Sequence, residues 1–246
     1  MPEVRRGSTI IPDIRHGTTQ INEIRHGTTP VWVRGGAFDD FIRLDGSGNA
    51  IDTPNTLGSK WTDHGPSIDW KLGVEDGRAR VGIPDAMIGA FWDFRTSCWR
   101  YNDSINSVDD GFIECRAATL GDGSSFTSPT GFVTEVYGRM SNASFTHGVG
   151  IRMAAGHCWL IRLAAGTPTL MADGGTFQPG SRLRHHFVGN LHTLYVDGRS
   201  VTTWNDSGAT ASKGSGFRSL GMLGQGCKDT FGPRRFGPAM DYVMMG

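Results

Sequence analysis

The feature that most restricts the fold of this chain is a succession of short strand-like runs separated by glycine turns. Residues 192–196 and 199–204 alternate between apolar and polar side chains with a period of two, and Asp197-Gly198 joins them. Asp-Gly between two such runs is the strongest local signal of a β-hairpin, because both residue types tolerate positive φ. Asp76-Gly77 joins two further runs in the same way. Roughly a dozen such runs between residues 37 and 246 predict a two-sheet β-sandwich.

Composition supports an all-β chain and narrows its partners. The 246 residues include 36 Gly and 13 Phe, a profile that favours strands and tight turns over helices. The 24 basic and 24 acidic side chains cancel, so no overall field draws the chain to nucleic acid or to an anionic membrane. No apolar run is long enough to cross a bilayer, and the N-terminus lacks the apolar region of a signal peptide. We therefore expect a chain made in the cytoplasm, with no nucleic-acid partner and no membrane insertion.

A ten-residue repeat occupies the N-terminal segment in three copies. Each copy opens with an aliphatic residue followed by Arg, carries Gly at its fourth position, and has a second aliphatic residue seven positions after the first. His-Gly pairs between Thr-rich and Ile-rich stretches predict a hairpin-like β-arm, with a disordered basic leader as the alternative. One copy cannot bury its two aliphatic side chains alone, so we expect the arm to pack against other chains. The residues expected to mediate this assembly are Val4, Ile11, Ile14, Ile21, Ile24 and Val31.

Gly35-Gly36 marks the boundary between the two segments. The sequence therefore predicts an attachment arm over residues 1–36 and a sandwich over residues 37–246. The four cysteines form no C-x-x-C pair and have no partner His at zinc-binding spacing, so we expect buried free thiols. His185 and His186 are adjacent on a predicted strand and should point to opposite faces, which excludes a shared metal.

Several short stretches resemble one family of β-sandwich domains. They are FDDFIRLDG followed by LGSKW, the meander LRHHFVGNLHTLYVDGRSVTTW, and the closing GPAMDYVMM. These stretches resemble the concanavalin A-like, or laminin-G-like, jelly-roll domains of minor tail proteins from phages that infect actinobacteria. The repeat is similar to the V-x-x-G-[ST]-T-x-[IV] arms at the start of such proteins. The resemblance implies that the first and last strands pair, with residues 38–41 beside residues 239–242.

The same resemblance implies a structural component of a phage virion, located in the tail and made in the host cytoplasm. Its partners would be other virion tail proteins, and a homo-oligomer is expected, with a trimer as the preferred form. A capsid decoration protein is the alternative position in the particle. The inferred strand pairing would also bring Asp39 or Asp40 near Asp241, where calcium could bind, but the sequence carries no commitment to a metal or to any cofactor.

An enzymatic role is the less favoured alternative. Glycosidases on this sandwich carry paired acids on one strand, as E-x-D-x-E or E-x-x-E, and the chain has neither pattern. Glu114 and Glu135 each stand alone in their strands, whereas glycoside hydrolysis needs two carboxyl groups at a controlled separation. The G-x-S-x-G and H-E-x-x-H motifs are missing as well. We therefore expect no catalytic residues, unless a carboxylate pair forms between distant strands.

A host-surface glycan is the expected ligand of the sandwich. Sugar binding depends on an exposed aromatic ring beside polar groups. The run FWDFRTSCWRYND interleaves aromatic and charged residues in this manner, and it is interpreted as a partly exposed loop. The alternative is that its aromatic residues cap the core. The candidate glycan-binding residues are Trp92, Trp99, Arg100 and Tyr101.

Overall fold

The computed structural model describes part of the chain at the level of its backbone and the rest with side chains. The backbone alone is described for residues 5–6, 9–10, 14–16, 19–21, 23–26 and 29–33, and side chains are described for residues 36–66, 69–83, 94–102, 106, 108–124, 131–228 and 232–246. All regular elements within these residues are β-strands, 22 in number. The described residues therefore include no helix that could span a membrane.

Each copy of the ten-residue repeat forms one antiparallel hairpin. Ile14 is in register with Ile21 in the second hairpin, and Ile24 with Trp32 in the third. The predicted hairpin arm is thus confirmed for the backbone, whereas Val4 and Ile11 lie outside the described residues. The strands are β1 (Arg5–Arg6) with β2 (Thr9–Ile10), β3 (Ile14–His16) with β4 (Thr19–Ile21), and β5 (Glu23–His26) with β6 (Thr29–Val33).

Two antiparallel eight-stranded sheets, here called sheet I and sheet II, make up the rest of the fold. In order across sheet I the strands are β19 (Arg199–Asn205), β18 (Leu191–Val196), β17 (Arg182–Val188), β12 (Gly111–Ala117), β22 (Met240–Met245), β10 (Arg78–Val81) and β9 (Leu72–Glu75), and β7 (Ala37–Asp39) also pairs with β22. In order across sheet II they are β16 (Thr167–Thr176), β15 (His157–Ala164), β14 (Gly148–Ala154), β13 (Thr134–Met140), β20 (Ser219–Lys228), β11 (Arg95–Tyr101) and β8 (Trp61–Asp63), and β21 (Arg234–Phe236) also pairs with β20.

The first and last strands of the sandwich are neighbours, as predicted. Ala37, Phe38 and Asp39 of β7 are in register with Met245, Met244 and Val243 of β22. The pairing therefore lies closer to the C-terminus of β22 than residues 239–242, but the two edge motifs meet in one sheet. The rings of Phe38 and Tyr242 lie with their centroids 6.2 Å apart.

The core lies between the two sheets and follows from the period of two in each strand. Ile113 and Cys115 of sheet I and Val136 and Met222 of sheet II are fully buried in one apolar cluster. Their sequence neighbours at odd spacing point away from the core, because successive side chains of a strand alternate between faces. Each sheet therefore has an outer face, and any binding site built on regular strands lies there.

The four cysteines are buried free thiols, as expected. Burial raises the pKa of Cys98 to about 12 and that of Cys158 to about 12, since the thiolate form would lose its hydration. The thiols therefore behave as small apolar side chains of the core.

Candidate functional site

Two of the predicted glycan-binding residues lie in the core. Strand β11 alternates so that Trp99 and Tyr101 point inward, with 6% and 0% of their surface exposed. Trp99 Nε1 donates to Ser97 Oγ at 2.8 Å, and the Tyr101 ring packs edge-on against Trp61 with centroids 5.1 Å apart. The interpretation of this run as a partly exposed loop is therefore wrong for these two residues, which belong to the core instead.

The other two candidates have different outcomes. Arg100 points outward on sheet II and is partly exposed. Burial lowers the pKa of its guanidinium, and its Nη1 donates to the carbonyl of Tyr101 at 3.2 Å. Trp92 lies outside the described residues. The predicted cluster is therefore not brought together as an aromatic platform.

A different aromatic and charged row crosses the outer face of sheet II. Strand pairing places Glu135 of β13 in register with Arg152 of β14, Arg152 with Trp159 of β15, and Trp159 with Asp173 of β16. These four residues and His157 are here called the Trp159 site. Sequence reasoning missed this site because Trp159 stands between Cys158 and Leu160, two core residues, and only the strand pairing identifies its neighbours.

Glu135 anchors one end of the Trp159 site. Its side chain is fully buried, and Arg152 Nε donates to Oε1 at 2.6 Å while Tyr137 Oη donates to Oε2 at 2.5 Å. Burial, followed by the charge of Glu135, raises the pKa of Tyr137 well above its ordinary value, so this hydroxyl stays protonated and donates. Both carboxylate oxygens are therefore engaged, and Arg152 is held in one orientation.

Trp159 and His157 form the aromatic part of the site. The Trp159 ring is partly buried against an apolar cluster that includes Ile161, and its centroid lies 4.5 Å from that of His157, with 30° between the planes. His157 Nε2 donates to Asp173 Oδ1 at 2.6 Å. Hydrogen bonds to its carboxylate lower the pKa of Asp173. The bond from the backbone N–H of Gly175 has the largest effect, and the bond from His157 has the next largest. The result is a partly exposed pair of rings between the Arg152–Glu135 ion pair and the Asp173 carboxylate.

The lone carboxylates do not form a hydrolytic pair with each other. Glu114 lies on the outer face of sheet I, where Tyr242 Oη and Arg184 Nε donate to its two oxygens at 2.5 and 2.6 Å. Glu135 lies on the outer face of sheet II, so both sheets separate the two groups. Asp173 is three strands from Glu135, about 14 Å at about 4.8 Å per strand, which exceeds the roughly 5–9.5 Å of glycosidase pairs.

The acidic residues at the paired terminal strands bind cationic side chains. Asp39 accepts hydrogen bonds from Arg43 at 2.8 Å and from Trp61 Nε1 at 2.7 Å. Asp241 instead lies 3.3 Å from Arg78 and 3.5 Å from Arg116. The two carboxylates therefore do not converge, and the described residues contain no group of three or more His, Cys, Asp or Glu side chains arranged for a metal.

The two adjacent histidines point to opposite faces, as predicted from strand alternation. His185 is fully buried between the sheets, whereas His186 is partly exposed on the outer face of sheet I. His185 Nε2 lies 2.9 Å from Nδ1 of His192, which is also fully buried. His185 and His186 therefore cannot bind one metal ion together.

Comparison with known proteins reveals likeness in structure only. No family model matches the chain, and no curated protein matches it either. A native glycosidic hydrolase matches with a TM-score of 0.51 at 13% identity, over 86% of this chain and 95% of that one. A protein from work on endo-acting O-glycanases of the human gut microbiota that initiate mucin breakdown matches with a TM-score of 0.50 at 11% identity, over 85% and 97%.

The carbohydrate binding module CBM66 from Bacillus subtilis is also similar, with a TM-score of 0.47 at 15% identity, over 75% of this chain and 91% of the module. At identities this low the likeness concerns the fold alone, since one sandwich carries many activities. The fold class predicted from the sequence is confirmed: the part of the chain that the structure describes is all-β and contains a two-sheet, concanavalin A-like jelly-roll sandwich.

Proposed function

We propose that this chain is a non-enzymatic component of a phage tail that contacts host-surface glycans through the Trp159 site. The observation that carries the glycan part is the partly buried Trp159 ring, which lies beside His157 and between the Arg152–Glu135 ion pair and the Asp173 carboxylate. An indole offers an apolar face to the C–H groups of a sugar, and fixed charged groups beside it accept and donate to hydroxyls. The three hairpins would attach the chain to other tail proteins.

The tail position rests on the sequence resemblance and on the arm. A repeat of hairpins with two aliphatic residues per copy suits attachment to a symmetric neighbour, and a homo-oligomer, preferably a trimer, is part of the proposal. Capsid decoration is the alternative position. Labelling of the protein on intact particles distinguishes the two, since signal on the capsid lattice rather than on the tail would contradict our proposal.

Binding is favoured over hydrolysis because both oxygens of Glu135 are already engaged and Glu114 lies on the opposite outer face. Incubation with host cell-wall glycans should release no new reducing ends. Turnover that is abolished in Glu135→Gln and retained in Glu114→Gln would instead support the hydrolase alternative.

Binding of the full chain to purified host cell-wall polysaccharide tests the glycan site. Trp159→Ala should weaken binding about tenfold, because stacking contributes up to about 1.5 kcal/mol beyond the buried area. Phe217→Ala, which removes a partly buried ring outside the site, serves as the matched control and should bind as wild type. If Trp159→Ala stays folded and binds with unchanged affinity, the sugar does not bind at the Trp159 site.

A further inference from the structure

The outer face of sheet I carries a second concentration of aromatic and basic residues, on the opposite side of the sandwich from the Trp159 site. Strand pairing sets Arg116 in register with Arg182, and Arg184 in register with Tyr195. Phe112 is in register with His186 in the next row. We call this surface the arginine face and define it by Phe112, Arg116, Arg182, Arg184, His186 and Tyr195.

Positive charge exceeds negative charge on this side of the molecule. The face's three arginines and two on β10, which is separated from β12 by β22, share the surface with four carboxylates, although the whole chain has a net charge of zero. Within the described residues the guanidinium of Arg182 has no hydrogen-bond or ion-pair partner, and it is partly exposed. The arginines are Arg78, Arg80, Arg116, Arg182 and Arg184, and the carboxylates belong to Glu75, Glu114, Asp197 and Asp241.

A buried carboxylate orients the centre of the face. Glu114 is 3% exposed and accepts from Arg184 Nε at 2.6 Å. The Arg184 guanidinium carbon lies 4.2 Å from the centroid of the Phe112 ring, so the planar group rests on an aromatic surface. Glu114 and Phe112 therefore hold Arg184 in one orientation at the centre of the face.

Three rings extend the surface beside the arginines. The His186 ring lies between those of Phe112 and Tyr195, with centroid distances of 5.7 and 5.1 Å. Burial, and then the charge of Arg184, lowers the pKa of His186, so at neutral pH the ring contributes apolar surface rather than charge. All three side chains are partly exposed. The face thus combines stacking surface with guanidinium groups on one open sheet.

We propose that the arginine face binds an acidic polysaccharide, which goes beyond the proposed function of the Trp159 site. Sugar rings pack on His186 and Tyr195, and carboxylate groups of the polysaccharide bind Arg182, whose planar guanidinium matches an anion in two-point contact. A nucleic acid suits the face less well, because the small surplus of positive charge would neutralise few of its phosphates.

Binding of the full-length protein to polygalacturonate at low salt tests this inference. We expect saturable binding, no binding to the fully methyl-esterified polymer, and a loss of about tenfold in affinity for Arg182→Ala and for Tyr195→Ala. Arg199→Ala removes one exposed positive charge from the first residue of β19, outside the arginine face, and should leave binding unchanged. Thermal melts verify that each variant is folded.

Three results would overturn the inference. Equal binding of polyglutamate would mean that charge alone is recognised, and tighter binding of single-stranded DNA would assign the face to nucleic acid. Unchanged affinity in both folded variants would place the ligand elsewhere. Trp159→Ala separates the two proposals, because it should weaken cell-wall polysaccharide binding and leave polygalacturonate binding intact.

Discussion

At the scale of single residues, the core contains one polar pair whose hydrogen bonding is incomplete. His185 and His192 are both fully buried, with Nε2 of the first 2.9 Å from Nδ1 of the second. Neither the Nδ1 atom of His185 nor the Nε2 atom of His192 has a partner among the described residues. Each neutral ring has one N–H, so whichever ring donates in the shared bond, one buried N–H is unpaired. The unpaired N–H lowers the stability of the folded state, and burial disfavours a charged ring at either position.

Acid should destabilise the protein through this pair. Burial, and then the charge of Arg139, lowers the pKa of His192 to about 4, and burial lowers that of His185 well below its ordinary value. The unfolded chain takes up protons near pH 6.5 while the folded chain does not, so stability is lost as pH falls below that value. At about 1.4 kcal/mol per pH unit, His192 alone accounts for about 2 kcal/mol between pH 6.5 and 5.

Urea unfolding at pH 7.5, 6 and 5 measures this loss. His192→Gln should flatten the dependence, whereas His157→Gln, at a partly exposed histidine of sheet II, should keep it. An equally steep loss of stability in wild type and His192→Gln would show that the buried pair is not its source.

At the scale of strands and turns, local signals predicted the elements, and long-range pairing determined their neighbours. Both residues of each Asp-Gly turn have positive φ, which is the geometry that their sequence indicates. The angles are 53° at Asp76 and 67° at Gly77, and 50° at Asp197 and 82° at Gly198. The alternation of Ser97, Trp99 and Tyr101 was present in the sequence, but the interleaved charges favoured a loop interpretation. β13 pairs with β20 across about 80 residues, and no local pattern specifies such a partner.

Two hairpins have a less suitable residue at the first turn position. Ala155-Gly156 and Ala165-Gly166 have the same paired positive φ values as the Asp-Gly turns, with 45° and 49° at the two alanines. An alanine in this region has its Cβ too close to the following carbonyl, at a cost of roughly 1 kcal/mol, whereas Asn tolerates the conformation.

Ala155→Asn should therefore stabilise the fold by about 0.5–1 kcal/mol, measured by chemical denaturation. Ala143 is exposed like Ala155 but does not have positive φ, so Ala143→Asn is the matched control and should change stability little. A gain of the same size in both variants would point to a general effect of asparagine rather than to relief of the strained turn.

At the scale of the whole molecule, the chain combines two surfaces with an arm that cannot form a core of its own. The sandwich separates the Trp159 site from the arginine face, because the two lie on the outer faces of different sheets. Each hairpin of the arm has two strands, and a lone two-stranded hairpin is marginally stable in water. The division of roles we propose therefore assigns recognition to the sandwich and attachment to the arm.

The arm's aliphatic residues should be needed for assembly and not for folding. Full burial of the six side chains, about 1.5–3 kcal/mol each, is a gain available only against another chain. Ile14→Asp with Ile24→Asp should leave the melting temperature of the sandwich unchanged and abolish incorporation into particles, measured by mass spectrometry of purified virions. Gln20→Asp with Thr29→Asp adds the same charges to the same two hairpins and should still incorporate. Normal incorporation of the double isoleucine variant would exclude the arm as the attachment device.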